Sequence, residues 1–136
     1  MMQNIMVAVD GSENNKVAVD YAIDLAKKYG AKLTAVTVFD SSKNEGMNYQ
    51  KEYVQETNEK NLAYAVYKAN EAGYPCSTIQ TFGNPAQSLI EISKDFDIIV
   101  CGNLGRTGLA RIMLGSVSEK LVRFAKRPVF VVRVKE

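Results

Sequence analysis

Residues 97–116 read DIIVCGNLGRTGLARIMLGS. The run Ile98-Ile99-Val100-Cys101 is short, apolar and rich in β-branched side chains, the pattern of a strand buried on both faces. Gly102, Gly105 and Gly108 follow at three-residue spacing, then an amphipathic segment from Leu109 to Leu114, then Gly115-Ser116-Val117-Ser118-Glu119. Ser116 and Glu119 have the capping-box spacing of a helix start. The order is buried strand, glycine-rich loop, helix N-terminus, and that order suits phosphate. Glycine permits positive φ and close approach of backbone to an anion. A helix start offers N–H groups outside the helix ladder and the positive end of the dipole. The stretch is neither a Walker A loop, lacking Gly-Lys-Ser/Thr, nor the dinucleotide pattern Gly-x-Gly-x-x-Gly.

Outward from this stretch, strands and helices alternate along the chain. Ile5–Val9 reads as a strand ended by Asp10-Gly11-Ser12, with Ser12 as N-cap of a helix over Glu13–Tyr29. Ala18, Ala22, Leu25 and Tyr29 form its predicted buried stripe, Asp24 and Lys28 an i,i+4 ion pair, and Gly30 its C-terminal stop. Lys32–Phe39 is the second strand, and the polar stretch 40–48 a loop. Tyr49–Ala72 is a long helix with Leu62, Ala65, Val66 and Ala69 as its stripe; Tyr53, Tyr64 and Tyr67 read as its packing or its rim, with an aromatic cofactor box as the sharper alternative. Cys76–Phe82, after Pro75, reads as an edge strand. Asn84 as N-cap and Pro85 at the first helical position open a helix to about Lys94 that buries Ala86, Leu89, Ile90 and Ser93. A last helix over about Val117–Ala125 and a strand over Val129–Val134 complete a βαβαβαβαβ order. That order predicts one α/β domain, a doubly wound parallel sheet with helices on both faces. Ligands in such sheets bind beyond the carboxyl ends of the strands, where the strand order reverses.

Composition narrows the function. The chain has 136 residues, 17 basic against 15 acidic, and no histidine. A charge of +2 is too small to make nucleic acid or an anionic membrane the expected partner. No apolar run approaches membrane-spanning length, and MMQNIMVAVDGS lacks the pattern of a signal peptide, so a cytoplasmic location is expected. Without histidine the usual general base near neutral pH is missing. Cys76 and Cys101 lack CxxC spacing and read as small buried hydrophobes. Asp10 has two readings: a carboxylate for a nucleotide or a divalent cation, or an Asx-turn stabiliser before Gly11. Gly115-Ser116 reads as a phosphate cradle or as plain helix capping, and the two can coexist. Arg106 and Arg111 lie within the loop, in reach of phosphate or simply in solvent.

Gly102-x-x-Gly105, nine residues, then Gly115-Ser116 resembles the ATP-binding signature of the universal stress protein family. VAVDGS at 7–12, GRTGLARIMLGSVSEKLVR at 105–123 and RPVFVVR at 127–133 look like the same family, so the likeness covers essentially the whole chain, 1–136. The resemblance implies a Rossmann-like five-stranded sheet of order 3-2-1-4-5. It implies ATP, with Mg²⁺ or Mn²⁺, held between the loops after the first and fourth strands. By the same resemblance the Val38 backbone pairs with adenine, Ala8, Val9 and Cys101 line the base pocket, and Gly102 closes on the ribose. Gly105, Gly115, Ser116 and the N–H of Val117 cradle the phosphates, with the Ser118 hydroxyl nearby and Asp10 at the nucleotide or metal. Leu104 departs from the basic or imidazole side chain that many relatives carry before the second glycine. The implied function is nucleotide-dependent regulation in a stress response, with slow ATP hydrolysis as the alternative. Members commonly dimerise, and here Val129–Val134, apolar on both faces and a sheet edge in the implied order, is the expected homodimer seam.

Overall fold

Asn4–Ala8 (β1) and Ile98–Gly102 (β4), whose middles are runs of buried apolar residues, lie side by side as central strands, with Met6 opposite Ile99 and Val7 opposite Val100. The structure is a computed structural model and describes residues 2–42, 49–103 and 114–134. Between and after these strands come α1 (Lys16–Tyr29), β2 (Lys32–Asp40), α2 (Lys51–Glu71), β3 (Cys76–Gly83), α3 (Pro85–Ser93), α4 (Ser116–Phe124) and β5 (Val129–Val132). All pairings are parallel, and the strand order is β3-β2-β1-β4-β5, as the resemblance implied.

The period of two along each strand divides the core into two layers. Ile5, Val7, Leu33, Ala35, Ile98 and Val100 pack under α1 and α2; Met6, Val36, Ile99 and Cys101 pack against Leu89 of α3 and Leu121 of α4. Met6 and Ile99 are wholly buried. Each such side chain contributes up to about 1.5–3 kcal/mol relative to exposure. The flanks differ: β3 alternates half-buried and exposed residues over most of its length, as an edge strand should.

Several local expectations are corrected. A 3-10 turn at Glu13–Asn15 precedes α1, and Ser12 makes no side-chain cap bond. The α1 stripe is Ala18, Val19, Ala22, Ile23 and Ala26, while Tyr29 is 59% exposed; the helix rolls so that its small residues meet the sheet. On α2 the inward line is Asn58, Leu62, Ala65 and Ala69, and Val66 falls one position off it. Cys101 is buried as expected but Cys76, on the edge strand, is only half-buried. The start of α3 is as read: Asn84 Oδ1 accepts from Gln87 N at 3.1 Å with Pro85 at the first position. Gly30 ends α1 at φ 63°, the left-handed stop, and Asp24 and Lys28 pair at 3.3 Å on the surface.

Candidate functional site

A cavity of about 540 Å³ lies over the carboxyl ends of β2, β1 and β4, the point where the strand order reverses. Its first side is the loop after β1. Val9 N donates to Val36 O at 2.8 Å, and then the chain turns away from β2. Asp10 N donates to Asn15 Oδ1, while Asp10 Oδ1 accepts from Ser12 N at 2.9 Å and Ser12 Oγ at 2.6 Å. This is an Asx turn, so the Ser12 hydroxyl donates to Asp10 instead of capping a helix. Asn15, 7% exposed, stitches the turn to the strand through Nδ2 to Ala8 O at 2.9 Å. Asp40 repeats the arrangement at the end of β2, accepting from Ser42 N and Oγ at 3.1 and 2.6 Å.

The early turn after β1 has a consequence for β2, which runs on to Asp40. In a parallel strand the N–H and C=O of one residue point to the same neighbour, and successive residues alternate sides. Val36 faces β1, since its carbonyl accepts from Val9. Val38 faces the same side, where β1 has already ended at Ala8, so its N–H and C=O are directed at the cavity it lines.

The opposite side is built by the end of β4 and the start of α4. Asn103, 2% exposed, donates from N to Val132 O at 3.1 Å and accepts at Oδ1 from Val134 N at 3.0 Å. Its carbonyl accepts from Gly115 N at 2.7 Å and from Ser118 Oγ at 3.3 Å. One buried residue thus fixes β4, β5 and α4 together. The N-cap is Gly115, not Ser116, and it supplies no capping side chain. The ladder starts with Glu119 N to Gly115 O at 2.9 Å, which leaves the N–H groups of Ser116, Val117 and Ser118 ahead of it. Ser118 turns its hydroxyl inward to the Gly115 and Asn103 carbonyls. What it offers the cavity is therefore its backbone N–H.

Ala8, Val9, Asp10, Val38, Cys101, Gly102, Gly115, Ser116, Val117 and Ser118, all singled out from the sequence, line this one cavity. Gly105, Arg106 and Arg111 lie outside the described residues. Burial pushes the Cys101 thiol up to about 12, so it is a neutral, apolar part of the wall and no nucleophile. Among the described residues no cluster of three or more His, Cys, Asp or Glu is placed to hold a metal. Sequence reading missed Asn15, Pro85 and the α2 residues Tyr53, Thr57 and Asn61, which also line the cavity. The signal for the last three was their four-residue spacing on α2, masked by the search for an apolar stripe.

Fold and site together define a Rossmann-like α/β protein with its cavity at the sheet's switch point. The chain belongs to the universal stress protein family, whose model matches residues 1–133. It is 34% identical to universal stress protein YxiE of Bacillus subtilis over 98% of this chain and 100% of that protein. It is 33% identical to universal stress protein MJ0531 of Methanocaldococcus jannaschii over 98% of this chain and 83% of that protein. Among solved structures, hypothetical protein MJ0577 superposes with TM-score 0.85 at 26% identity, covering 100% of this chain and 99% of that one. A universal stress protein in complex with cAMP superposes at 0.77, also at 26% identity and covering 98% of each chain. Among the described residues no helix is long and apolar enough to cross a membrane.

Proposed function

We propose that the cavity binds ATP and that the chain is a nucleotide-dependent regulatory protein of a stress response. The observation that carries this reading is the convergence of two sets of backbone groups on one cavity. The Ser116, Val117 and Ser118 N–H groups at the start of α4 suit phosphate, and the adjacent N–H and C=O of Val38 suit the N1 and N6 edge of adenine. Between them lies an apolar floor of Ala8, Val36, Val38, Leu89 and Cys101, fit for a base. The complex of a related universal stress protein with cAMP, itself an adenine nucleotide, supports the reading. The carboxylate oxygens of Asp10 and Asp40 are hard donors suited to Mg²⁺, which phosphate oxygens and water would otherwise surround. Melting curves with and without Mg-ATP test the proposal. At about 100 times Kd the ligand adds about 2.7 kcal/mol, a rise on the order of 5 °C for a domain of this size. An unchanged midpoint in protein purified free of nucleotide overturns it.

The second part of the proposal is a homodimer through β5. Pro128 and Val132 face β4, since Ile99 N donates to Pro128 O and Asn103 N to Val132 O. Alternation turns the N–H and C=O of Val129 and Val131 to the open edge. Antiparallel pairing of two such edges satisfies both and closes the assembly. Light scattering should give a dimeric mass at micromolar concentration. Val131→Pro, which removes an outward donor and no ladder bond, should give a folded monomer; a wild-type monomer, or a dimer unaffected by the proline, overturns it.

A further inference from the structure

Helix α2 is held to the sheet unequally along its length. From Asn61 onward it is pinned. Leu62, Ala65 and Ala69 share a core cluster with Leu33 and Ala35 of β2, and the Tyr64 hydroxyl donates to Asp20 Oδ1 of α1 at 2.9 Å. The loop after β1 packs on the same place, since a Cβ on Gly11 would lie 3.1 Å from Asn61 Cα. Over residues 51–60 the contact changes. There burial falls on Asn58, which is polar and 1% exposed. On β2 the buried residue after Leu33 and Ala35 on that face is Thr37, again polar. Asn58 Nδ2 donates to Thr81 O at 3.1 Å, but Asn58 Oδ1 and the Thr37 hydroxyl find no partner among the described residues. Next along β2, Phe39 meets the Tyr53 ring edge-on with centroids 5.8 Å apart, and Tyr53 stays 55% exposed.

We infer that residues 51–60 of α2 form a lid on the cavity, opening at the polar joint of Asn58 and Thr37 and setting how fast a nucleotide enters and leaves. The inference rests on the cavity being a nucleotide site. Tyr53 and Thr57 belong to this stretch and line the cavity, so lifting it widens the opening. Lifting costs little. The stretch buries no apolar side chain fully, and opening gives water to two oxygens whose burial without partners costs free energy. An apolar joint, like the one Leu62 and Ala65 make just beyond, would hold the helix down instead. Local opening of such weakly held segments is how lids gate binding sites.

Hydrogen exchange and stopped-flow binding on the full chain test the lid. In the free wild type, amides of residues 55–60 should exchange at least about tenfold faster than those of 65–71, and Mg-ATP should slow them. Fraying of a helix end would give the first result without any bearing on the ligand, so the variants decide. Thr37→Val, and Thr37→Val with Asn58→Leu, make the joint apolar, and neither residue lines the cavity. With folding checked by circular dichroism, the double variant should lose the fast exchange. A ribose-labelled fluorescent ATP should then bind and leave about tenfold more slowly with Kd within about twofold, because a gate acts on both directions alike. Thr37→Val alone should move the same rates the same way by less. Unchanged rates in both folded variants overturn the lid and leave the site reading standing, as does equally slow exchange along α2 in the free wild type. A wild type that binds no nucleotide overturns the site reading and the lid with it.

Discussion

The two ends of the sheet are built differently. At the amino end the strands enter in step and satisfy one another. Asp97 N donates to Asn4 O at 2.8 Å, and Asp97 Oδ2 accepts from both Gln3 N and Asn4 N at 2.8 Å. At the carboxyl end the strands fall out of step. β1 stops at Ala8 while its neighbour β2 continues to Asp40, and β4 runs into Gly102. There side chains such as Asn15 and Asn103 hold the loops, and backbone groups of Val38 and of the first turn of α4 remain directed at a cavity. Strand ends that match consume their donors and acceptors; strand ends that splay leave them for a ligand. Substitutions at the two ends should therefore separate, one moving affinity and the other stability.

The largest expected effect is at Gly115. Aspartate is a favoured N-cap, so Gly115→Asp gives α4 a capping side chain where it has none, and the unliganded protein should melt within a few degrees of wild type. The same carboxylate stands where phosphate is proposed to sit, and repulsion in a partly desolvated site should lower ATP affinity more than about 100-fold. Calorimetry and thermal melting on the same sample read both effects. Retained affinity would place the phosphates elsewhere and erase the contrast between the ends.

Gly11 is expected to move stability although it lies at the cavity end, because its constraint is steric. Its φ of +77° disfavours any side chain, and a Cβ would meet Asn61 Oδ1 at 2.3 Å. Gly11→Ala should cost about 3 kcal/mol, a loss on the order of 10 °C in Tm. Adding Asn61→Ala removes the amide but not the strained φ, so the double variant should recover only part of the loss. Full additivity of the two substitutions in thermal melting would show that the contact does not bear on stability.

The same contrast explains what the sequence made legible. Central strands were visible because burial on both faces leaves a plain apolar run, and Asn84-Pro85 was visible because the cap and the residue it caps are three apart. Ser12 and Ser116 had equally good local patterns and did not cap. Asp10 captured the Ser12 hydroxyl, and Gly115 became the N-cap once the Asn103 carbonyl had taken its N–H. The strand order, and Ala8, Val9, Val38, Cys101, Val117 and Ser118 as site residues, came from the family resemblance, whereas Asp10, Gly102 and Gly115-Ser116 were already legible as a strand-loop-helix pattern. Asn103 and Asn61 escaped because each acts on segments far away in the chain, β5 in one case and the Gly11 loop in the other. No pattern within a window of a few turns reports such a contact.

The smallest expected effect, and the one that tests the amino end alone, is at Asp97. The backbone N–H groups of Gln3 and Asn4 hold its carboxyl below the usual carboxylate range, with the charge of Arg127 adding to them. A carboxylate whose pKa is lowered on folding contributes stability that is complete above its unfolded pKa of about 3.9 and is lost as pH falls through the folded value. Wild-type Tm should therefore hold from neutral pH to about pH 5 and fall below about pH 4. Asp97→Asn keeps an oxygen for both N–H groups but not the charge that strengthens the two bonds, so its Tm should start a few degrees lower at pH 7 and lose less on acidification. The two curves should converge near pH 3, while ATP affinity at pH 7 stays within about twofold, because the site lies at the other end of the strands. Parallel melting curves from pH 7 to pH 3 would remove Asp97 from the acid limb. A change in affinity at neutral pH would show that the two ends are coupled through β1 and β4, the strands that Asp97 joins.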